Sequence, residues 1–416
     1  MFLHRHLSFL KSIFIHSISA FGGAQGHLGM VMKTFVDKRK DISKDELMEY
    51  VSFAQILPGA SSTQVLTLIG FKRGGIPLAI ITLLIWVLPA CFIMGLFSFI
   101  VTSLHPQDLN NGVFKFIQPM AIGFLAFAGL KAFKISINSI ITFVIFIVSF
   151  LLLSLFFKTP WVFPLLIILG GIATNFSNKR IPDIEKTKPK QIRWSNLWLF
   201  IFIFVVAGFF SELSRKQEWE NRKAFNLFEN FYRFGSIVFG GSDVLIPLVV
   251  DQYVARPTAD KFQDSKQGFI KLEKSELLTG AGFVRAIPGP VFSIASFTGG
   301  IALKDKGKFY QALGCIIGSI AIFLPSALLV LFFFPVWQFF KKYVIIFRAL
   351  EGINAVVVGV MFAGIFYLLK DFSFINYNLQ SFFSLFVIII TVLLLKFSKI
   401  PPPIIVALCL SLGFLF

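Results

Sequence analysis

The sequence predicts an all-α polytopic membrane protein: two inverted-topology repeats of about six spans each, with broken half-helices, plus one linking span. Three observations predict it. Of 416 residues, 56% are hydrophobic and 14% charged, with a mean hydropathy of +0.80. Stretches such as 135–157 and 381–395 carry no charge, and they approach or reach the roughly 20 apolar residues that cross a bilayer. One unit is used twice, and each copy is interrupted by a Pro-Gly pair: Gln55-Ile56-Leu57-Pro58-Gly59-Ala60-Ser61-Ser62-Thr63-Gln64, echoed by Arg285-Ala286-Ile287-Pro288-Gly289-Pro290-Val291-Phe292-Ser293-Ile294.

The repeat is read from matched landmarks. Phe21-Gly22-Gly23 recurs as Phe239-Gly240-Gly241, an offset of 218. Glu46-Leu47 and Pro58-Gly59 match Glu276-Leu277 and Pro288-Gly289 at 230; Leu88-Pro89 and Gly123 match Leu324-Pro325 and Gly359 at 236; Pro160 and Pro401 open the last apolar segment of each unit. The first unit, 1–176, is expected to hold spans near 8–35, 46–71, 76–102, 113–133, 137–157 and 159–176. The second, 225–416, is expected to hold them near 225–252, 274–303, 308–336, 348–369, 378–396 and 401–416. Between them, 177–224 carries a basic loop (177–195) and one unmatched span (196–211). Six spans return the chain to its starting side, so the lone span starts the second unit from the opposite side, the inverted arrangement of many secondary transporters. Basic residues favour the side of the N-terminus and the 177–195 loop as cytoplasmic, although Lys38-Arg39-Lys40 then falls on the other side.

Proline removes a donor and glycine accepts unusual dihedrals, so a helix stops at either Pro-Gly and another can begin. Inside a bilayer such a break is tolerated where protein or a water-filled cavity satisfies the freed backbone. The two breaks are therefore read as halves of one binding site. Half-helices beginning near Ala60 and Val291 aim free N–H groups and positive dipole ends inward, with Ser61, Ser62, Thr63, Ser293, Gln55 and Gln64 offering polar groups and Gly22, Gly23, Gly240 and Gly241 weakening the preceding helices. The same breaks would also let helices pack closely, their hydroxyls bonded to their own backbone; recurrence at the matched position favours the site.

Arg285 stands three residues before Pro288 in an apolar helix, where a charge is expensive and usually paired or functional. Its planar fork can hold two oxygens of an oxyanion; an internal salt bridge or a snorkelling side chain is the alternative. His27 and Asp243 are candidate proton carriers, Asp243 standing at the position equivalent to Gln25; packing or capping is the alternative for His27. Glu46 and Glu276 are equivalent and sit where an acid stabilises a helix start. Asp251 and Lys33 are equivalent and opposite in charge, which suggests a pair across the repeat.

Several classes are excluded. Cys91, Cys315 and Cys409 are far apart in apolar segments, without disulfide or metal-ligand spacing. No phosphate-binding glycine loop with Lys-Ser or Lys-Thr is present, so the chain carries no sign of an ATP-driven pump or an enzyme, and no cofactor or metal is implied. Lys and Arg number 39 against 21 Asp and Glu, a net +18. Their scatter between apolar segments fits a lipid bilayer and mildly favours an anionic substrate, while nucleic acid is not an expected partner. Residues 1–20 look like a signal peptide, but Lys11 and His16 interrupt the apolar run, and they are kept in the fold.

Phe21-Gly22-Gly23 with His27 and Gly29, Leu57-Pro58-Gly59 with Ser61, Thr63 and Gln64, then Gly70 and Arg73, resemble the first half of the chromate ion transporter family. Phe239-Gly240-Gly241 with Pro247-Leu248, Ile287-Pro288-Gly289-Pro290, Leu324-Pro325-Ser326 and Gly352-Ile353-Asn354-Ala355 through Gly359 resemble its second half. The resemblance covers nearly all of the chain outside 177–223 and corresponds to the family's long form, both halves fused. It implies export of chromate across the cytoplasmic (inner) membrane of a bacterium; the inverted repeat adds the expectation of secondary active transport by rocking of one repeat against the other around a midplane site. Sulfate is an expected competitor because it is also a tetrahedral dianion. The alternatives are a transporter of sulfate or another anion, a passive anion channel, or a membrane scaffold without transport; a homodimer stays open. Three positions depart from the family pattern: Ala60 stands where Pro is usual, Thr34 stands about where a carboxylate is usual, and Arg285 replaces a usual Gln. These bear on substrate choice more than on fold.

Overall fold

The computed structural model describes residues 2–21, 23–104, 109, 112–156, 159, 161–176, 194–239, 241–258, 270–337, 344–370, 379–398 and 400–415. Among them are sixteen helices and no strand. The first half contains α1 (Phe2–Ser19), α2 (Gly23–Val31, prolonged by a π-helical stretch Met32–Lys38), α3 (Lys44–Ile56), α4 (Ser61–Thr102), α5 (Ile117–Ser136), α6 (Ile140–Leu155) and α7 (Val162–Ala173). After the connecting α8 (Ser195–Lys216), the second half contains α9 (Arg222–Ile237), α10 (Leu245–Val250, prolonged by a π-helical stretch Asp251–Ala255), α11 (Lys274–Phe283), α12 (Ile294–Ala302), α13 (Lys308–Phe333), α14 (Val344–Leu369), α15 (Leu379–Phe397) and α16 (Pro402–Leu415). The order of the first half thus recurs in the second, down to the π-helical stretch. Among the described residues five stretches are long and apolar enough to cross a membrane: Ser61–Thr102, Gly112–Ser136, Ser195–Lys216, Lys308–Val336 and Phe347–Leu369.

The segments at 8–35, 46–71, 225–252 and 274–303, expected to cross, fold back instead. Arg39 donates to the Ser8 carbonyl at 3.1 Å and to the Ser12 hydroxyl at 3.0 Å, and the Phe35 ring lies 5.8 Å from Phe9 and from His16. The π-helical end of α2 therefore returns along α1. In the same way, Lys72 at the end of 61–73 meets Glu46 at the start of α3, 2.6 Å apart. The second half repeats both closures, with Tyr253 near Phe231 (6.0 Å) and Lys304 paired to Glu276. Length explains the reversal. The 13 residues of α3 rise about 20 Å, short of the roughly 30 Å hydrocarbon core, and the break at Pro58-Gly59 turns the chain before it gets across. The start of α3 is fixed by a capping box, in which the Ser43 hydroxyl accepts from the Glu46 N–H and the Glu46 carboxylate accepts from the Ser43 N–H.

The reversal settles the misplaced basic cluster. Because Arg39 lies beside Ser8 and Ser12, the 38–40 segment belongs to the same face as the start of the chain. α4 is itself two helices, 61–73 and 76–102, parted by non-helical Gly74 and Gly75. Its second part runs from this face to the opposite one, where Thr102 accepts from Gln311 at the start of α13 (3.0 Å). On that far face Lys223 pairs with Asp305 at 3.0 Å and Lys274 donates to the Leu368 carbonyl at 3.1 Å. α13 then returns to the near face, where Phe334 packs on Tyr50 and Phe53. The hairpins of the second half thus hang from the face opposite to those of the first. Two hairpins replace two crossings in each half, so the number of crossings changes by an even number.

The long helices pack through small residues, as expected where lipid removes the hydrophobic drive between helices. A Cβ on Gly123 of α5 would lie 2.7 Å from Thr391 Cβ of α15, and one on Gly359 of α14 would lie 2.7 Å from Ser149 Cβ of α6. Gly123 and Gly359 are repeat-equivalent, so each half receives a hydroxyl residue of the other in the same place. Gly359→Leu overpacks this contact and is expected to cost about 1–3 kcal/mol, read as a lowered melting temperature of the detergent-purified protein; an unchanged value would show the contact to be loose.

Candidate functional site

The hairpin tips meet in the interior. The Gly59 N–H donates to the Val238 carbonyl at 2.8 Å, and the Gly289 N–H donates to the Ala20 carbonyl at 2.9 Å. Ala20 and Val238 are equivalent at the same offset of 218, so the two bonds are one interaction made twice, each joining the second hairpin of one half to the first hairpin of the other. Both glycines have positive φ, 112° and 106°, which turns the N–H across to the facing tip. Past each break a helix begins at the tip, from Ser61 in the first half and from a 3-10 turn, Val291–Ser293, leading into α12 in the second.

The polar groups at the tips are unequally employed. Ser62 Oγ lies 3.2 Å from His27 Nδ1. Thr63 Oγ1 accepts from Trp86 Nε1 at 3.0 Å. The Gln64 amide donates to the Pro58 carbonyl (2.7 Å) and to Ser326 Oγ (2.9 Å), while its Oε1 is buried without a partner among the described residues. Ser293 Oγ is likewise buried and unpartnered there. His27, Ser61, Ser62, Gly241 and Pro290 line a cavity of about 10 Å³ between the tips, room for about one water. In this conformation the cavity is closed to a tetrahedral oxyanion. Pro58 is buried, Pro288 half-buried and Gln55 exposed, and none of the three lines it. Gly22 and Gly240 lie outside the described residues.

A second cavity, about 260 Å³, reaches the tips along α5. Gly23, Gly289 and Val291 form its inner end, and Lys131, Asp243 and Arg285 are its charged lining. Val291 is shared with the small cavity, so the two adjoin. Lys131 near the end of α5 and Pro402 at the start of α16 place its outer end towards the face of the chain's start. Arg285, expected to hold substrate, is already paired: Nη2 donates to Asp243 Oδ1 at 2.5 Å, and the guanidinium lies 5.5 Å from the Phe124 ring centroid. Asp243, expected to carry a proton, is the other half of that pair. The expected partnership of Asp251 with Lys33 is not formed; Asp251 bonds Arg256, five residues on, at 2.5 Å, because the π-helical turn brings that side chain back over it. Glu46 caps the start of α3, Glu276 stands in the first turn of α11, and each also closes its hairpin.

Four residues of this region carried no functional reading in the sequence. Trp86 packs between His16 and His27, 5.2 Å from each ring. Ser326 meets Gly59, and its equivalent Ala90 meets Gly289; the repeated Leu-Pro followed by a small residue was the available signal. Lys131, on the wall of the larger cavity, had none.

A polytopic helical protein in which four hairpin tips meet over a small polar cavity has the architecture of a membrane transporter. The chain belongs to the chromate transporter family, whose model matches residues 7–175 and again 225–414. It is 26% identical to an uncharacterised transporter of Methanocaldococcus jannaschii over 99% of this chain and 94% of that one. It is 22% identical to a chromate transport protein of Cupriavidus metallidurans, over 93% and 87%, and 22% identical to a probable chromate transport protein of Synechococcus elongatus, over 95% and 92%. No solved structure matches the chain.

Proposed function

We propose that the protein is a secondary active transporter that exports chromate, with sulfate as competitor, across the cytoplasmic membrane of a bacterium by alternating access. The observation that carries this reading is the reciprocal pair Gly59 to Val238 and Gly289 to Ala20. It holds two helix starts against one cavity and supports two inverted repeats flanking the connecting 177–224 segment. Helix N-termini and the Ser61 and Ser62 hydroxyls offer an oxyanion donors without bringing a full charge to the midplane. The larger cavity, with two cations in its lining, opens towards the face that also gathers Arg39, Lys72 and Arg73. An excess of basic residues marks the cytoplasmic side, so substrate enters from the cytoplasm and waits at the closed tips. His27, bonded to Ser62, is placed to register occupancy and to carry a coupling proton.

Reconstituted vesicles assayed for chromate and sulfate flux, with and without a pH gradient, test the proposal. Uphill movement supports a coupled transporter, downhill flux alone supports a passive channel, and absence of both fluxes ends the reading. Ser62→Ala is expected to raise the half-saturating chromate concentration about tenfold or more, since a hydrogen bond to a charged group contributes about 1.5–3 kcal/mol. An unchanged value removes Ser62 from the site.

A further inference from the structure

The pair between Arg285 and Asp243 joins the second hairpin of its half to the first, at the inner end of the larger cavity. The Arg285 side chain is only 10% exposed, whereas Asp243 is 32% exposed. One arm of the guanidinium is bonded to Asp243, and Nε is buried without a partner among the described residues. A nearly buried guanidinium that lines a cavity of about 260 Å³ is a cation that an entering anion meets. Space is sufficient, because a tetrahedral oxyanion occupies roughly two or three times the volume of a water, about 30 Å³. The repeat adds an independent observation. At the positions equivalent to Asp243 and Arg285 the first half has Gln25 and Gln55, so opposite charges replace two neutral amides together, and on one side of the pseudo-symmetry only.

We propose that Asp243 is a built-in competitor for the transported anion: its carboxylate occupies Arg285 at rest, and a tetrahedral dianion entering the cavity displaces it. An isolated guanidinium this deep is expensive, and Asp243 offsets that cost while the site is empty. A dianion presents two oxygens to the planar fork and carries twice the charge of the carboxylate it replaces, so it wins where a monoanion such as chloride does not. Lys131 on α5 adds positive charge along the approach. The pair therefore sets a threshold for charge as well as shape. This inference rests on the oxyanion-transporter reading.

Binding is measured on the purified full chain as thermal stabilisation by sulfate and by chromate, and flux in vesicles. Arg285→Gln is expected to raise the half-stabilising concentration about tenfold. Asp243→Asn is expected to lower it several-fold and to let chloride stabilise the protein. Arg285→Gln combined with Asp243→Asn is expected to behave like Arg285→Gln alone. A purely structural ion pair predicts otherwise, with both single variants impaired and the double variant recovering, and that pattern overturns the proposal. If Asp243→Asn does not fold, phenylglyoxal modification of Arg285 in the unaltered protein decides, because bound sulfate must slow it; an unchanged rate overturns the proposal. Binding with the expected pattern but no flux would defeat the transport reading alone. Flux of chromate with half-saturation unmoved in both single variants would defeat this inference alone.

Discussion

Gly59→Ala is expected to abolish chromate flux and to lower stability by about 2–5 kcal/mol. Two costs combine. Gly59 has φ 112°, where an L side chain is strained by roughly 1–2 kcal/mol. The added Cβ would also stand 2.5 Å from Ser326 Oγ, 2.7 Å from Ser326 Cβ and 3.1 Å from Gln64 Nε2, overpacking that typically costs about 1–3 kcal/mol. Relief by backbone movement would pull the Gly59 N–H off the Val238 carbonyl and shift the start of α4, so the cavity between the tips changes even if the protein folds. Gly289→Ala should be milder, because its Cβ meets Ala90 Cβ at 2.9 Å and its next neighbour, the Ser17 carbonyl, stands at an ordinary 3.7 Å. Melting in detergent ranks the two, and adding Ser326→Gly to Gly59→Ala should recover part of the loss. No recovery would mean that the Ser326 contact is not the cause.

The two Pro-Gly breaks, the duplication and both half-helix starts were legible because they are local: each rests on residues adjacent in the chain or on a simple offset. The direction of travel was not. Segments such as 8–35 and 46–71 have the same apolar composition whether they cross or fold back, and only the pairing of their ends distinguishes the two. A sign of it was present in Lys38-Arg39-Lys40 and Lys72-Arg73, basic clusters that a crossing puts on opposite faces and a hairpin gathers on one. The partnership of Arg285 with Asp243 was hidden for another reason. Forty-two residues separate them, and neither side chain alone says what it faces. Read jointly against Gln25 and Gln55, the paired change from amides to opposite charges pointed to contact.

Glu276→Gln is the second large expected effect, and its value lies in comparison with Glu46→Gln. The two glutamates are repeat-equivalent and close equivalent hairpins, Glu46 with Lys72 and Glu276 with Lys304. Their surroundings differ. The first pair is exposed on both sides, 36% for Glu46 and 38% for Lys72, so water screens it and its loss should cost less than about 1 kcal/mol. Glu276 is 6% exposed and Lys304 33% exposed, so removing the glutamate charge takes from a lysine that water only partly reaches a charge-assisted hydrogen bond of about 1.5–3 kcal/mol. A melting temperature lowered by several degrees for Glu276→Gln and scarcely moved for Glu46→Gln is the expected result. Similar shifts in the two would show that the hairpins are held by their tips and not by their bases. The distinction bears on function, because the bases lie on opposite faces of the molecule. A firmly closed base on one face and a screened one on the other gives the first-half hairpin the greater freedom to move, on the same face as the open end of the larger cavity.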